Sequence, residues 1–109
     1  MVTFDEFAKV FAFDTQKRCC IEILFQVTGS NKFNSCWMGK CYSVEKERDV
    51  YWFGLTEDGN NAYEYLSFSN LINAPVFENH TLLELWSQIT ILEIDGCEPE
   101  QRIHTYFKE

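Results

Sequence analysis

Between Asp49 and Gln101 the chain carries ten carboxylates (Asp49, Glu57, Asp58, Glu64, Glu78, Glu84, Glu93, Asp95, Glu98 and Glu100) and neither lysine nor arginine. Residues 1–48 hold seven bases against six acids, so the formal net charge of −8 arises in the second half. Paired acids can transfer protons or hold a hard cation. Glu93 and Asp95 stand two apart on an expected strand and share a face, whereas Glu57 and Asp58 fall in an expected turn. The turn pair lacks the Asp-x-Asp-x-Asp-Gly pattern of a calcium loop, so neither a metal nor a cofactor is expected. What the acids can do is act together: a one-sided field steers a basic partner toward the surface and repels nucleic acid.

Other residues with chemistry are sparse. His80 and His104 are the only histidines, and His80 stands where a helix is expected to begin, as a capping-region residue rather than a base. The five cysteines (Cys19, Cys20, Cys36, Cys41 and Cys97) are odd in number, which excludes a complete disulfide framework. On one continuous strand Cys36 and Cys41 would point to opposite faces, as would Cys19 and Cys20. No Cys-x-x-Cys and no zinc-type spacing occurs. The cysteines are therefore expected to be free, mostly buried, and to serve as small hydrophobes. Cys97 has acidic neighbours, which weakens a thiol as a nucleophile. Serine-triad, glycine-rich phosphate and Walker signatures are absent, so the chain is not expected to be an enzyme.

The elements that must position these residues are organised around Val50–Phe68. Tyr51, Trp52, Phe53 and Leu55 are strand formers, because bulky side chains pack well on a pleated surface. Residues 57–61 (Glu-Asp-Gly-Asn-Asn) gather turn residues. The second arm alternates, with Tyr63 and Tyr65 on one face and Glu64, Leu66 and Phe68 on the other. This hairpin is expected at the centre of the sheet, since its first arm is apolar on both faces.

Upstream, Thr3 and Glu6 have the form of a capping box. Phe4, Phe7, Ala8 and Phe11 recur at helical spacing, so an N-terminal helix is expected to about Phe11. A polar connection from Asp14 to Arg18 leads to a strand over Cys19–Val27. A second strand runs from about Ser35 to Val44, with Gly39 as a bulge or a place of close approach. Downstream, a short helical turn is expected around Ser69–Asn73. A helix over about 81–89 places Leu82, Leu85, Trp86 and Ile89 in the core. Thr90–Asp95 reads as a strand closed by Gly96, and the tail is expected to strand-pair through Ile103, Tyr106 and Phe107.

That order predicts one α+β domain over residues 1–109: a small antiparallel sheet of about five strands with two helices packed on one face. Its length and its 46% apolar and 24% charged content suit a single globular core. No apolar run approaches a membrane span, and the acidic start is unlike a secretion signal, so a cytoplasmic protein is expected.

The function expected from these residues is a small acidic interaction protein. It would bind and block a basic site on another macromolecule, in the manner of an immunity protein, an inhibitor or a nucleic-acid mimic. The expected contact residues are Glu57, Asp58, Tyr63, Tyr65, Glu93, Asp95, Glu98 and Glu100, with the rings as anchors. The expected partner is an electropositive protein, with no direct nucleic-acid or membrane contact. The alternatives are a structural subunit forming a homodimer through a sheet edge, and a small ligand-binding domain with an aromatic-lined pocket.

Overall fold

The first helix has a chemically defined start. The Thr3 hydroxyl accepts the Glu6 N–H at 3.1 Å, and the Glu6 carboxylate accepts the Thr3 N–H at 3.0 Å. This closed box satisfies two donors that a helix otherwise leaves exposed. The computed structural model describes residues 2–13, 20–58 and 61–107. Helix α1 spans Phe4–Phe11 and turns Phe7, Val10 and Phe11 inward. Five strands follow in one antiparallel sheet: β1 (Ile21–Val27), β2 (Cys36–Ser43), β3 (Arg48–Gly54), β4 (Ala62–Tyr65) and β5 (Ile89–Ile94). Their spatial order is β4-β3-β2-β1-β5. Helices α2 (Phe68–Asn73) and α3 (Leu82–Leu85) lie between β4 and β5, and α4 (Pro99–Phe107) ends the described chain. The fold is α+β.

The alternation of each strand separates two faces. Ile21, Ile23, Phe25 and Val27 of β1 join Cys36, Met38, Phe53, Ile89 and Ile94 in one buried cluster. The same cluster takes Phe7, Val10 and Phe11 from α1, Leu71 from α2, Leu82 from α3, and Ile103 and Tyr106 from α4. All four helices among the described residues therefore pack on the same side of the sheet. Fully buried rings pack edge-on there: Phe53 and Phe77 have centroids 5.4 Å apart, crossing at 81°, a geometry that ring quadrupoles favour.

One charge lies under the helices. Lys40 is 3% exposed, and its Nζ donates to the carbonyls of Phe11 at 2.6 Å and Phe13 at 2.7 Å. It also lies 3.4 Å from the Asp49 carboxylate. A cation placed at the last carbonyl of α1 and one just beyond it satisfies groups that the helix cannot, which is why a lysine is tolerated in the core.

Several sequence expectations are corrected. The Val50–Phe68 hairpin is not central: β4 is an edge strand, and β2 holds the middle of the sheet. The helix expected over 81–89 stops at Leu85. Trp86–Gln88 then form a 3-10 turn, and Ile89 opens β5. Trp86 is half-buried against Phe4 and Phe7, with centroids 5.4 and 4.7 Å away, rather than a core residue on an α-helical face. The tail is a helix instead of a strand. Pro99 occupies its first position, and the Glu98 carboxylate accepts the N–H groups of Glu100 at 3.2 Å and Gln101 at 2.9 Å. A proline there loses nothing, because that N–H has no intrahelical partner.

The five cysteines are not all free: Cys20 and Cys41 are joined in a disulfide. Ile21 pairs with Lys40, so Cys20 and Cys41 oppose each other at the next step of the β1–β2 ladder, with Cα atoms 4.5 Å apart. That is the spacing of a directly opposed, non-hydrogen-bonded antiparallel pair. Cys36 is buried and Cys97 exposed. Cys19 and the connection Asp14–Arg18 lie outside the described residues, as do Gly59 and Asn60 of the hairpin turn. No helix among the described residues is long and apolar enough to cross a membrane.

Candidate functional site: the uncovered sheet face

No described helix packs on the second face of the sheet, and register shows what stands there. One transverse row runs Glu22–Gly39–Trp52–Glu64 across β1, β2, β3 and β4. The adjacent row runs Glu93–Leu24–Trp37–Gly54 across β5, β1, β2 and β3. Each row thus sets a tryptophan among small or apolar neighbours and ends on an acid.

Gly39 explains how the tryptophans sit. A Cβ at this position would run into the indole of Trp52 and the carbonyl oxygen of Ile21, so the ring lies over the bare backbone of β2. Glycine here provides a close approach, without any bulge in the β2 pairings. Trp37 is fixed differently: its Nε1–H donates to the Glu57 carbonyl oxygen at 3.0 Å, tying the indole to the β3–β4 turn. Both indoles are half-buried and held by regular strands.

Between them opens a shallow cavity of about 280 Å³ lined by Glu22, Trp37, Trp52, Glu57 and Asp58. Among the described residues the carboxylates of Glu22 and Glu57 form no ion pair. Glu64, further along the Trp52 row, lies 3.6 Å from Lys46 in an exposed pair. The Asp58 carboxylate accepts the Thr56 hydroxyl within the turn. Two ring faces beside carboxylates form a surface suited to an organic cation. The described residues contain no group of three or more His, Cys, Asp or Glu arranged for a metal.

No protein-family model, curated protein or solved structure matches the chain.

The expected contact residues do not meet at one place. Glu57 and Asp58 lie at the β3–β4 turn and border the cavity. Glu93 belongs to β5, the opposite edge of the sheet. Asp95 serves the fold: it accepts Arg102 Nε at 2.9 Å, the Tyr106 hydroxyl at 2.6 Å and the Glu22 N–H at 2.8 Å, tying α4 to the sheet. Burial, reinforced by that Asp95 carboxylate, pushes the Tyr106 hydroxyl up to about 12. Glu98 caps α4, and together with Glu100 it borders a second hollow near Val2 and the start of β5. Tyr65 pairs with Tyr51 and rests edge-on against Phe53 at 6.2 Å, on the helix-covered side. Tyr63 pairs with Phe53 on that same side at the sheet edge and is 37% exposed.

Trp37, Trp52 and Glu22 were missed by the sequence reading as contact residues. A signal for them existed. Gly39 inside a strand marks a close approach, and Trp37 stands two residues before it on the same face.

Proposed function

We propose that this protein is a small non-catalytic binding module. It covers a basic site on another macromolecule, and does so with the uncovered sheet face and the adjoining β3–β4 turn. The observation that carries the reading is the pairing of two half-buried indoles with the carboxylates of Glu22 and Glu57 on a face that no described helix covers. Aromatic anchors beside unmatched charge are what an interface centre uses. The net charge of −8 supplies long-range attraction toward an electropositive protein and repulsion from nucleic acid.

Self-association through this face is less well supported. Two copies meeting face to face would bring like charges from Glu22 and Glu57 into one contact, which is costly. A role as an inhibitor or immunity-type protein follows if the covered basic site is the partner's working surface. The joined Cys20 and Cys41 suit a compartment that tolerates disulfides rather than the reducing cytoplasm.

The test compares the native protein with a Trp37→Ala/Trp52→Ala variant as immobilised baits, at low and high salt. Basic proteins should be retained at low salt by the native chain, released at high salt, and lost by the variant. Retention indifferent to both the substitutions and salt would overturn the reading.

A further inference from the structure

We propose that the cleft between Trp37 and Trp52 receives a single arginine side chain of the basic partner. This inference rests on the binding reading above and names the group that the site takes.

Size comes first. At about 280 Å³ the cavity falls just below the roughly 300–1,000 Å³ of pockets for drug-sized ligands, so it accommodates one side chain rather than a cofactor. Shape and chemistry then select among cations. The indole of Trp52 lies over Gly39, and the N–H of Trp37 is taken by the Glu57 carbonyl, so Trp37 offers a ligand its ring rather than its donor.

A guanidinium is planar, weakly hydrated and stacks on such faces, while its five N–H donors reach outward to carboxylates in the same plane. Glu22 and Glu57 border the cleft and form no ion pair among the described residues. A lysine ammonium is compact and strongly hydrated, and it would use the carboxylates but gain little from two rings. A methylated ammonium gains from rings but cannot donate to carboxylates, and a cage for it needs more aromatic walls than these two. The cleft is also preorganised: its rings stand on strands β2 and β3, not on a loop, which lowers the ordering cost of binding.

The experiment uses three matched peptides of otherwise uncharged sequence carrying arginine, lysine or trimethyllysine, titrated at low salt into the full chain with labelled indole N–H groups. The indole signals of Trp37 and Trp52 should move with the arginine peptide while that of Trp86, on the other side of the sheet, stays. Arginine should bind about tenfold more tightly than lysine. Glu22→Gln, an exposed change that spares the fold, should weaken the arginine peptide severalfold.

Equal affinity for arginine and lysine, unmoved Trp37 and Trp52 signals, or preference for trimethyllysine would overturn the arginine assignment and leave the broader binding reading standing. Failure of every cationic peptide to bind at low salt would overturn both.

Discussion

The two faces of the sheet draw on the same kinds of residue for different ends. Beneath the helices, Phe7, Phe11, Phe25, Phe53 and Phe77 are essentially inaccessible. The one buried charged side chain among the described residues there, Lys40, has two carbonyls and a carboxylate around it. Among the described residues no buried side-chain nitrogen or oxygen lacks a partner. On the uncovered face Trp37 and Trp52 are only half-buried, and the acids beside them, Glu22 and Glu57, go unmatched by any described base. Aromatic content therefore does not separate core from interface. What separates them is whether the polar groups near the rings are already satisfied from within the molecule.

The largest expected effect contrasts neighbours on one strand. Phe53 and Trp52 are adjacent in β3 and point to opposite faces. Phe53→Ala should cost about 3–5 kcal/mol, because a fully buried ring leaves a cavity. Trp52→Ala should cost less than half as much by chemical denaturation. Equal losses would mean that both faces are core.

A second, smaller effect tests the staple at the end of the β1–β2 ladder. Replacing Cys20 and Cys41 together with serine should lower stability by about 2–4 kcal/mol through loss of the cross-link's restraint on the unfolded chain. Thiol titration of the denatured, unreduced native chain should find two fewer thiols than after reduction. Equal counts would remove the disulfide from the account. Cys36 should be labelled only after unfolding, since burial pushes its thiol up to about 11, while exposed Cys97 reacts in the folded state.

The smallest effect sharpens the role of Asp95. The Tyr106 hydroxyl, raised by burial and by Asp95, holds its proton in the fold to about pH 12, whereas an unfolded tyrosine releases it near pH 10. The folded state thus binds more protons between those values. This contribution is complete below about pH 10 and is lost as pH rises through about 12. Tyr106→Phe should flatten the alkaline limb of a stability profile. An unchanged limb would show that Tyr106 does not titrate with folding.

Much of the local structure was legible because short-range chemistry sets it. The capping box at Thr3/Glu6 follows from residue types three apart, and the structure closes a second one at Thr81/Glu84 by the same chemistry. Asp95-Gly96, both at positive φ, form the tight reversal between Ile94 and Cys97. The short helix α2 also falls where its sequence indicates. What failed depends on partners distant in sequence. Val50 and Trp52 opposite Tyr51 and Phe53 indicate a strand apolar on both faces, but alternation cannot say that the described helices all go to one face. Hence the hairpin was placed centrally and Trp52 was not read as a contact residue. Cys20 and Cys41 pair through register, which sequence spacing does not encode. The tail was expected to strand-pair, although Pro99 with Glu98 before it and Ile103 and Tyr106 three apart suits a helix start. The acids of the second half scatter because several, Asp95 and Glu98 among them, are used by the fold itself.

The division of labour between the faces is tested most directly by one double variant, Glu22→Gln with Glu57→Gln, measured for both stability and affinity toward the arginine-bearing peptide across a range of salt. Its stability should stay within about 0.5 kcal/mol of the native protein, as for surface changes without structural partners. Its affinity should fall at low salt, and the dependence on salt should shrink with the lost charges. A variant that is clearly destabilised yet binds with native affinity and native salt dependence would contradict the account.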